Sequence, residues 1–239
     1  MDLGLQGAVA LVVGGGGLIG RAVAVLLHAE GAQVVLASRS LDRLQQVAQS
    51  IDPSVATITI DTGNQVAVDC AIAEVIDRYG SIDILINNAA PSARTLDPAR
   101  NSDPAQVVAA FEAKAMGYLR CINAVLPQMQ AAGYGRIVNI SGQNAYITGS
   151  ITGSVRNAAV IVLSKNIADS VAGTGITVNV VNPGIVIDDP AISVAAGSPG
   201  QSSPEQVASV IVFLASRLAA ATSGESISVG HRVRGVAAF

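Results

Sequence analysis

The chain contains no tryptophan, and only 3% of its residues are aromatic and 13% charged. A core resting on large rings is therefore excluded. The space must be filled by alanine, valine, isoleucine and glycine, as strands buried on both faces and closely packed helices require. Charge of either sign is also scarce: 14 basic residues face 17 acidic ones, for a formal net charge of -3. No basic run is present, so the chain lacks the electrostatic footprint of a partner for nucleic acid or an anionic membrane. The two cysteines, Cys70 and Cys121, are far apart and outside any CxxC spacing, and no His or Cys lies close enough to suggest a metal cluster. They are expected to be reduced core thiols, with no metal bound. No apolar run reaches membrane-spanning length, and acidic Asp2 stands where a signal peptide would be basic, so a cytoplasmic location is expected.

What is present fits one large domain over residues 1–239, half of it hydrophobic. The run Ala8 to Val13 is short and branched, ends in four glycines and precedes a helical pattern from Leu18 to Glu30. That is strand, tight turn, helix. Gly31 ends the helix and Val34 to Ala37 forms the next strand. Further strands are expected at Thr57 to Ile60, Ile82 to Asn87, Arg136 to Ser141, Thr177 to Asn182 and Ser226 to Val229, mostly with helices between them. Such alternation predicts an α/β fold, a Rossmann-like doubly wound parallel sheet. The segment Asp188 to Pro204, with Pro190, Pro199 and Pro204, reads as a mobile lid over a substrate site.

The stretch VVGGGGLIGRAVA places Gly14, Gly17 and Gly20 at the first strand-to-helix turn, with Gly15, Gly17 and Gly20 also satisfying GxGxxG. Glycine there tolerates positive φ, lets the backbone approach a pyrophosphate and leaves helix N–H groups facing the anion. A tight packed turn without a ligand is the alternative. The second strand ends in Ser38 and Arg39, where a carboxylate would bind the adenosine ribose. A guanidinium suits a 2′-phosphate instead, so NADP(H) is favoured over NAD(H).

In this order, GGGGLIGRAVA, IDT, IDILINNAA, GRIVNIS and VNVVNPG resemble the short-chain dehydrogenase/reductase family across nearly the whole chain. The resemblance implies a cofactor site that includes Gly14, Gly17, Leu18, Ile19, Gly20, Ser38, Arg39, Asp61, Thr62, Asn88, Ala89, Ala90, Pro183, Gly184 and Val186. It also implies a homo-oligomer, dimer or tetramer, built on apolar helix surfaces at 107–125 and 158–171. The family's catalytic Asn, Ser, Tyr and Lys fall on Lys114, Gly142, Gly153 and Asn157, so all four are replaced. Leu18 stands for the middle glycine of the usual turn, Val13 for the Thr before its first glycine, and Asp188 for a Thr that contacts the nicotinamide amide.

Glycine cannot donate a proton, and Asn157 cannot supply a positive field. Substitutes must come from nearby. Tyr146, on the loop after GRIVNIS, is a displaced proton donor if its phenol turns inward. Lys114 could stabilise an oxyanion or, desolvated, titrate nearer neutrality. Arg156, one residue before Asn157, points about 100° away on the helix and could bind a substrate carboxylate or pair at a subunit interface. Ser141 and Ser154 offer hydroxyls, but no His is near enough in sequence to activate them. His28 and His231 read as surface residues.

Two functions follow. One is NADP(H)-dependent hydride transfer to or from a small or medium apolar carbonyl or alcohol, with a rearranged proton relay. The other is a non-redox protein on the same fold: a cofactor-binding sensor, an inactive partner subunit, or a lyase or cyclase.

Overall fold

The computed structural model describes residues 2–91 and 95–236. The first βαβ unit is β1 (Val9–Val13), α1 (Leu18–Ala29) and β2 (Gln33–Ser38), followed by α2 (Leu41–Ile51), β3 (Ala56–Thr59), α3 (Gln65–Tyr79) and β4 (Ile84–Asn87). Next come α4 (Pro104–Phe111), a π-helical turn at Glu112–Met116, α5 (Gly117–Ala132), β5 (Gly135–Ile140), α6 (Ile151–Ser170) and β6 (Ile176–Pro183). Short strands β7 (Ile185–Val186) and β8 (Gln201–Ser202), α7 (Pro204–Ala215) and β9 (Ser226–Val229) complete the order. Each strand expected from the sequence is present, with its ends within two residues of the expected ones.

The seven long strands form one parallel sheet in the order β3-β2-β1-β4-β5-β6-β9. The alternation of side chains along each strand sorts the core into two layers. Ala10, Val12, Leu36 and Ile86 pack under α1, α2 and α7, whereas Leu11, Val13, Val35 and Leu85 pack under α3, α5 and α6. Both faces are covered, which is why the strands read as near-continuous apolar runs. Leu27, Leu36 and Ile122 are fully buried, each worth about 1.5–3 kcal/mol relative to exposure.

Side chains mark the helix ends. Asn64 Oδ1 accepts from the Ala67 amide and Gly80, at φ +85°, closes α3; Ser203 and Gln206 form a reciprocal capping box on α7. Strand order reverses between β2 and β4 on either side of β1, opening a crevice at the carboxyl edge where such sheets bind ligands.

The segment expected to be a lid is tied down at its far end. Ile185 N donates to Gly200 O (3.0 Å), Gly200 N to His231 O (3.1 Å) and Arg234 N to Ser198 O (3.2 Å). A Cβ at Gly200 would lie 1.0 Å from Gly230 O, so the two backbones cross where only glycine fits.

One expectation is corrected. Cys70 is exposed on α3, not a core thiol; only Cys121 is buried, and desolvation pushes its thiol up to about 12. The apolar surface expected at 107–125 is covered in part within the chain itself, since Ala110, Ala115, Tyr118, Cys121, Ile122 and Val125 are buried, whereas Val107, Phe111, Met116 and Leu119 remain partly exposed. Val108 and Val162 stay exposed.

Candidate active site

A cleft of about 790 Å³ opens at the carboxyl edge, and Gly14, Gly17, Ser38, Arg39, Asp61, Thr62, Asn88, Ala89 and Ala90 all line it. The glycines divide by role. A Cβ at Gly14 would sit 2.6 Å from Ala89 N, and one at Gly20 would sit 2.4 Å from Gly14 O, so both positions answer to packing. At Gly17 a Cβ would meet nothing nearer than 3.6 Å, which leaves open room beside the α1 N-terminus. Gly17 caps that helix without a side-chain bond, so its first amides are left without a side-chain acceptor at the cleft. Asn88 steadies the turn by donating to Gly14 O (3.1 Å).

Arg39 and Arg43 both line the same end of the cleft, and Arg43 lies along the space over Gly16. Arg43 was missed from the sequence, although four-residue spacing from a recognised position was the signal available. Leu18 is exposed, and Ile19 and Gly20 stand behind it in α1. Pro183, Gly184 and Val186 lie beyond the lining of this cleft, and a Cβ on Gly184 would be 2.1 Å from Gly200 O. Asp188 is exposed.

Across the cleft the chain passes from α4 into α5 through the π-helical turn, which carries Lys114. Such a turn widens the helix by one residue and occurs often at functional sites. The Lys114 side chain is buried; Nζ donates to Ser141 O (2.9 Å) and to Asn157 Oδ1 (2.8 Å). Desolvation lowers its pKa to about 7, with a smaller contribution from the Arg156 guanidinium. An ammonium has three donors, so one remains after these two bonds. Glu112 pairs with Arg120, which also donates to Thr62 O (3.2 Å) and so ties this turn to the cleft wall.

The neighbouring positions are closed rather than vacant. A Cβ on Gly142 would lie 3.0 Å from Asn157 Nδ2, and one on Gly153 would lie 2.8 Å from Ser150 Oγ and 3.0 Å from Asn144 Nδ2. Ser141 Oγ donates to the main-chain carbonyl of Asn157 (2.8 Å) and so ties the end of β5 to α6. Ser154 Oγ likewise donates to Ile147 O (3.0 Å). Tyr146 is turned to the last strand: its phenol shares a 2.7 Å hydrogen bond with Ser226 Oγ and its ring stacks under Arg232. His28 lies 3.8 Å from Asp52 on the far side of α1, and His231 is exposed.

Arg156 leaves α6 in another direction from Asn157, as its position on the helix requires. Its Nη1 donates to Pro91 O (3.1 Å), while buried Nε has no partner. It lines a second pocket, of about 280 Å³, between α4 and the loop after β4. Among the described residues no carboxylate pairs with Lys114 or Arg156.

A doubly wound parallel sheet with a glycine-lined cleft at its switch point defines a Rossmann-like nucleotide-binding protein. Residues 8–195 match the short chain dehydrogenase family. The chain belongs to that oxidoreductase family. It is 35% identical to the sorbitol dehydrogenase of Cereibacter sphaeroides, over 76% of this chain and 72% of that one. Among solved structures, it resembles L-sorbose reductase from Gluconobacter frateurii, complexed with NADPH and L-sorbose, with TM-score 0.83 and 26% identity over 99% of this chain and 100% of that one. It also resembles YwfH, an NADPH dependent reductase involved in bacilysin biosynthesis, with TM-score 0.79 and 28% identity over 94% of this chain and 99% of that one.

Proposed function

We propose that this protein is an NADP(H)-dependent oxidoreductase of small or medium, largely apolar carbonyls and alcohols, in which a relocated lysine serves the proton relay. The observation that carries the reading is the 2.8 Å contact between Lys114 Nζ and Asn157 Oδ1. By alignment these are the family's Asn and Lys positions with their residue types exchanged. The cation reaches the same neighbourhood from the helix opposite α6.

The residues present fit the cofactor. The open side of Gly17 and the uncapped start of α1 suit a pyrophosphate, and Arg39 with Arg43 suits a 2′-phosphate. NADP(H), when bound, supplies or accepts the hydride. The chain must then orient the substrate oxygen and balance its charge with a proton. Lys114 fixes the Asn157 carboxamide by holding its oxygen, and Asn157 Nδ2 faces Gly142 with no donor bond to any described residue. That amide orients the substrate oxygen. Lys114, near neutrality in its pKa, gives or takes the proton through its third N–H, the one held by neither Ser141 O nor Asn157 Oδ1. Tyr146, committed to Ser226, serves the architecture of the site.

The family's usual assembly and the exposed Val108 and Val162 favour a homo-oligomer. The alternative non-redox role draws its support from the filled space around Gly153.

The test begins with fluorescence titration of NADPH and NADH, followed by NADPH oxidation across a carbonyl panel with wild type and Lys114→Met. Saturable, NADPH-preferring binding in both proteins is expected, with turnover at least about 100-fold lower in the variant. Absence of cofactor binding would overturn the oxidoreductase reading. Equal turnover in the two proteins would overturn the relay.

A further inference from the structure

Arg156 is 6% exposed, and its charge has no carboxylate partner among the described residues. The acidic groups nearby in the chain are committed elsewhere. Asp103 pairs with Arg100, Glu112 pairs with Arg120, and Asp97 Oδ1 accepts from the Ala99 amide (2.9 Å). Burying an unpaired guanidinium is costly. A fold keeps such a group where a ligand of opposite charge completes it.

The geometry of the unpartnered donors is specific. Nη1 is used on Pro91 O, but neither Nε nor Nη2 donates to a described residue. Nε and Nη2 form one edge of the guanidinium fork, which matches the two oxygens of a carboxylate. The pocket beside it is lined by Pro91, Leu96, Ala105, Gln106 and Ala109 as well as Arg156. Gln106 cannot serve as a free donor, because Nε2 is spent on Asp97 O (3.1 Å) and Arg100 O (2.9 Å). Thr95 and Arg100 also line the pocket, the Arg100 charge being paired with Asp103, and the remaining wall is apolar. At about 280 Å³, the space is at or below the small end of ligand pockets, roughly 300–1,000 Å³. Pro91 and Ala109 also line the large cleft, so the two spaces share a wall.

We propose that this pocket is a carboxylate-binding subsite and that the substrate of the cleft is a short oxo acid or hydroxy acid, held by its carboxylate on the Nε–Nη2 edge of Arg156. The substrate assignment rests on the oxidoreductase reading above; the subsite itself does not. A single anionic end explains how an otherwise apolar site selects a small ligand. The electrostatic effect of Arg156 on Lys114 agrees with the two cations sharing one locale, where a bound anion would offset both.

The test is calorimetric binding of propanoate, 2-oxobutanoate and 4-oxopentanoate, each beside its methyl ester, to the intact protein with and without saturating NADPH. At least one acid is expected to bind about tenfold or more tighter than its ester, and Arg156→Met is expected to abolish the difference. Arg156→Lys, which keeps charge but loses the fork, should fall between them. Because the guanidinium is unpaired in the free protein, Arg156→Met should also raise the Tm of the unliganded protein. Equal binding of every acid and ester, or an acid preference that survives in Arg156→Met, overturns the subsite. So does a lower Tm in Arg156→Met with a smaller sedimentation mass, which would make Arg156 an interface residue. Arg156-dependent acid binding without NADPH binding would sustain the subsite and overturn the oxidoreductase reading. NADPH binding without acid preference would do the reverse.

Discussion

Lys114 Nζ and Asn157 Oδ1 lie 2.8 Å apart, joining the π-helical turn before α5 to the second turn of α6 beneath the end of β5. Under the alignment proposed above, the pair fixes the effect of new side chains at Gly153 and Asn157. Gly153→Tyr with Asn157→Lys alone would place a second ammonium against Lys114, at a spacing where like charges repel strongly out of water. The double variant is expected to lose several degrees of Tm. Adding Lys114→Asn should recover most of that loss. Thermal unfolding of the double and triple variants checks this, and equal Tm values would show that the two positions do not meet.

Lys114 also predicts a dependence of stability on pH. Its folded pKa, about 7, lies below the ordinary lysine value of 10.5, so between these limits the unfolded chain binds more protons than the folded one. Stability contributed through this group therefore rises as pH increases from about 7 toward 10.5, and the penalty is complete below 7. Denaturant titrations across that window should show a slope that Lys114→Met removes.

Two guanidiniums at the end of the cleft, Arg39 and Arg43, make a separable contribution. Arg39→Ser and Arg43→Ser are each expected to weaken NADPH binding by about 10-fold, since a charge-assisted hydrogen bond is worth roughly 1.5–3 kcal/mol and both sites are solvated. NADH binding should change little. A calorimetric titration with both nucleotides reads the difference, and equal loss for both would place the arginines away from the 2′-phosphate.

Gly20 is a packing position. A Cβ there would come within 2.4 Å of Gly14 O and 2.9 Å of Gly15 Cα, and backbone has no easy way to yield. Gly20→Ala should destabilise the protein by about 2–4 kcal/mol. Gly17→Ala, with open space around it, should leave stability almost unchanged while weakening the cofactor. Urea unfolding of the two variants tests the contrast.

Much of the fold was legible because buried parallel strands are short, branched and bounded by helices; Val34 to Ala37 and Ser226 to Val229 needed nothing more. The glycine turn was legible for a similar reason, since Gly14 and Gly20 obey local steric rules. The catalytic neighbourhood was harder. Nothing near Lys114 in sequence announces Asn157 or the carbonyl of Ser141, because the three come from separate elements brought together by β5, α6 and the π-helical turn. Tyr146 had the right loop and the right chemistry, yet Ser226, eighty residues later, claims its hydroxyl. Arg156 could be placed on its helix face, but only the assembled fold leaves its Nε without an acceptor.

The backbone crossing at Gly200 and Gly230 couples two parts of the chain that otherwise look independent. Residues 198–200 and the segment after β9 are fastened together like a seam, so neither can lift alone. Arg234 Nη1 also donates to Val194 O (2.8 Å), so the tie reaches back into the middle of the segment before α7. Loosening that seam would free the segment before α7 and fray the β9 edge of the sheet in the same event.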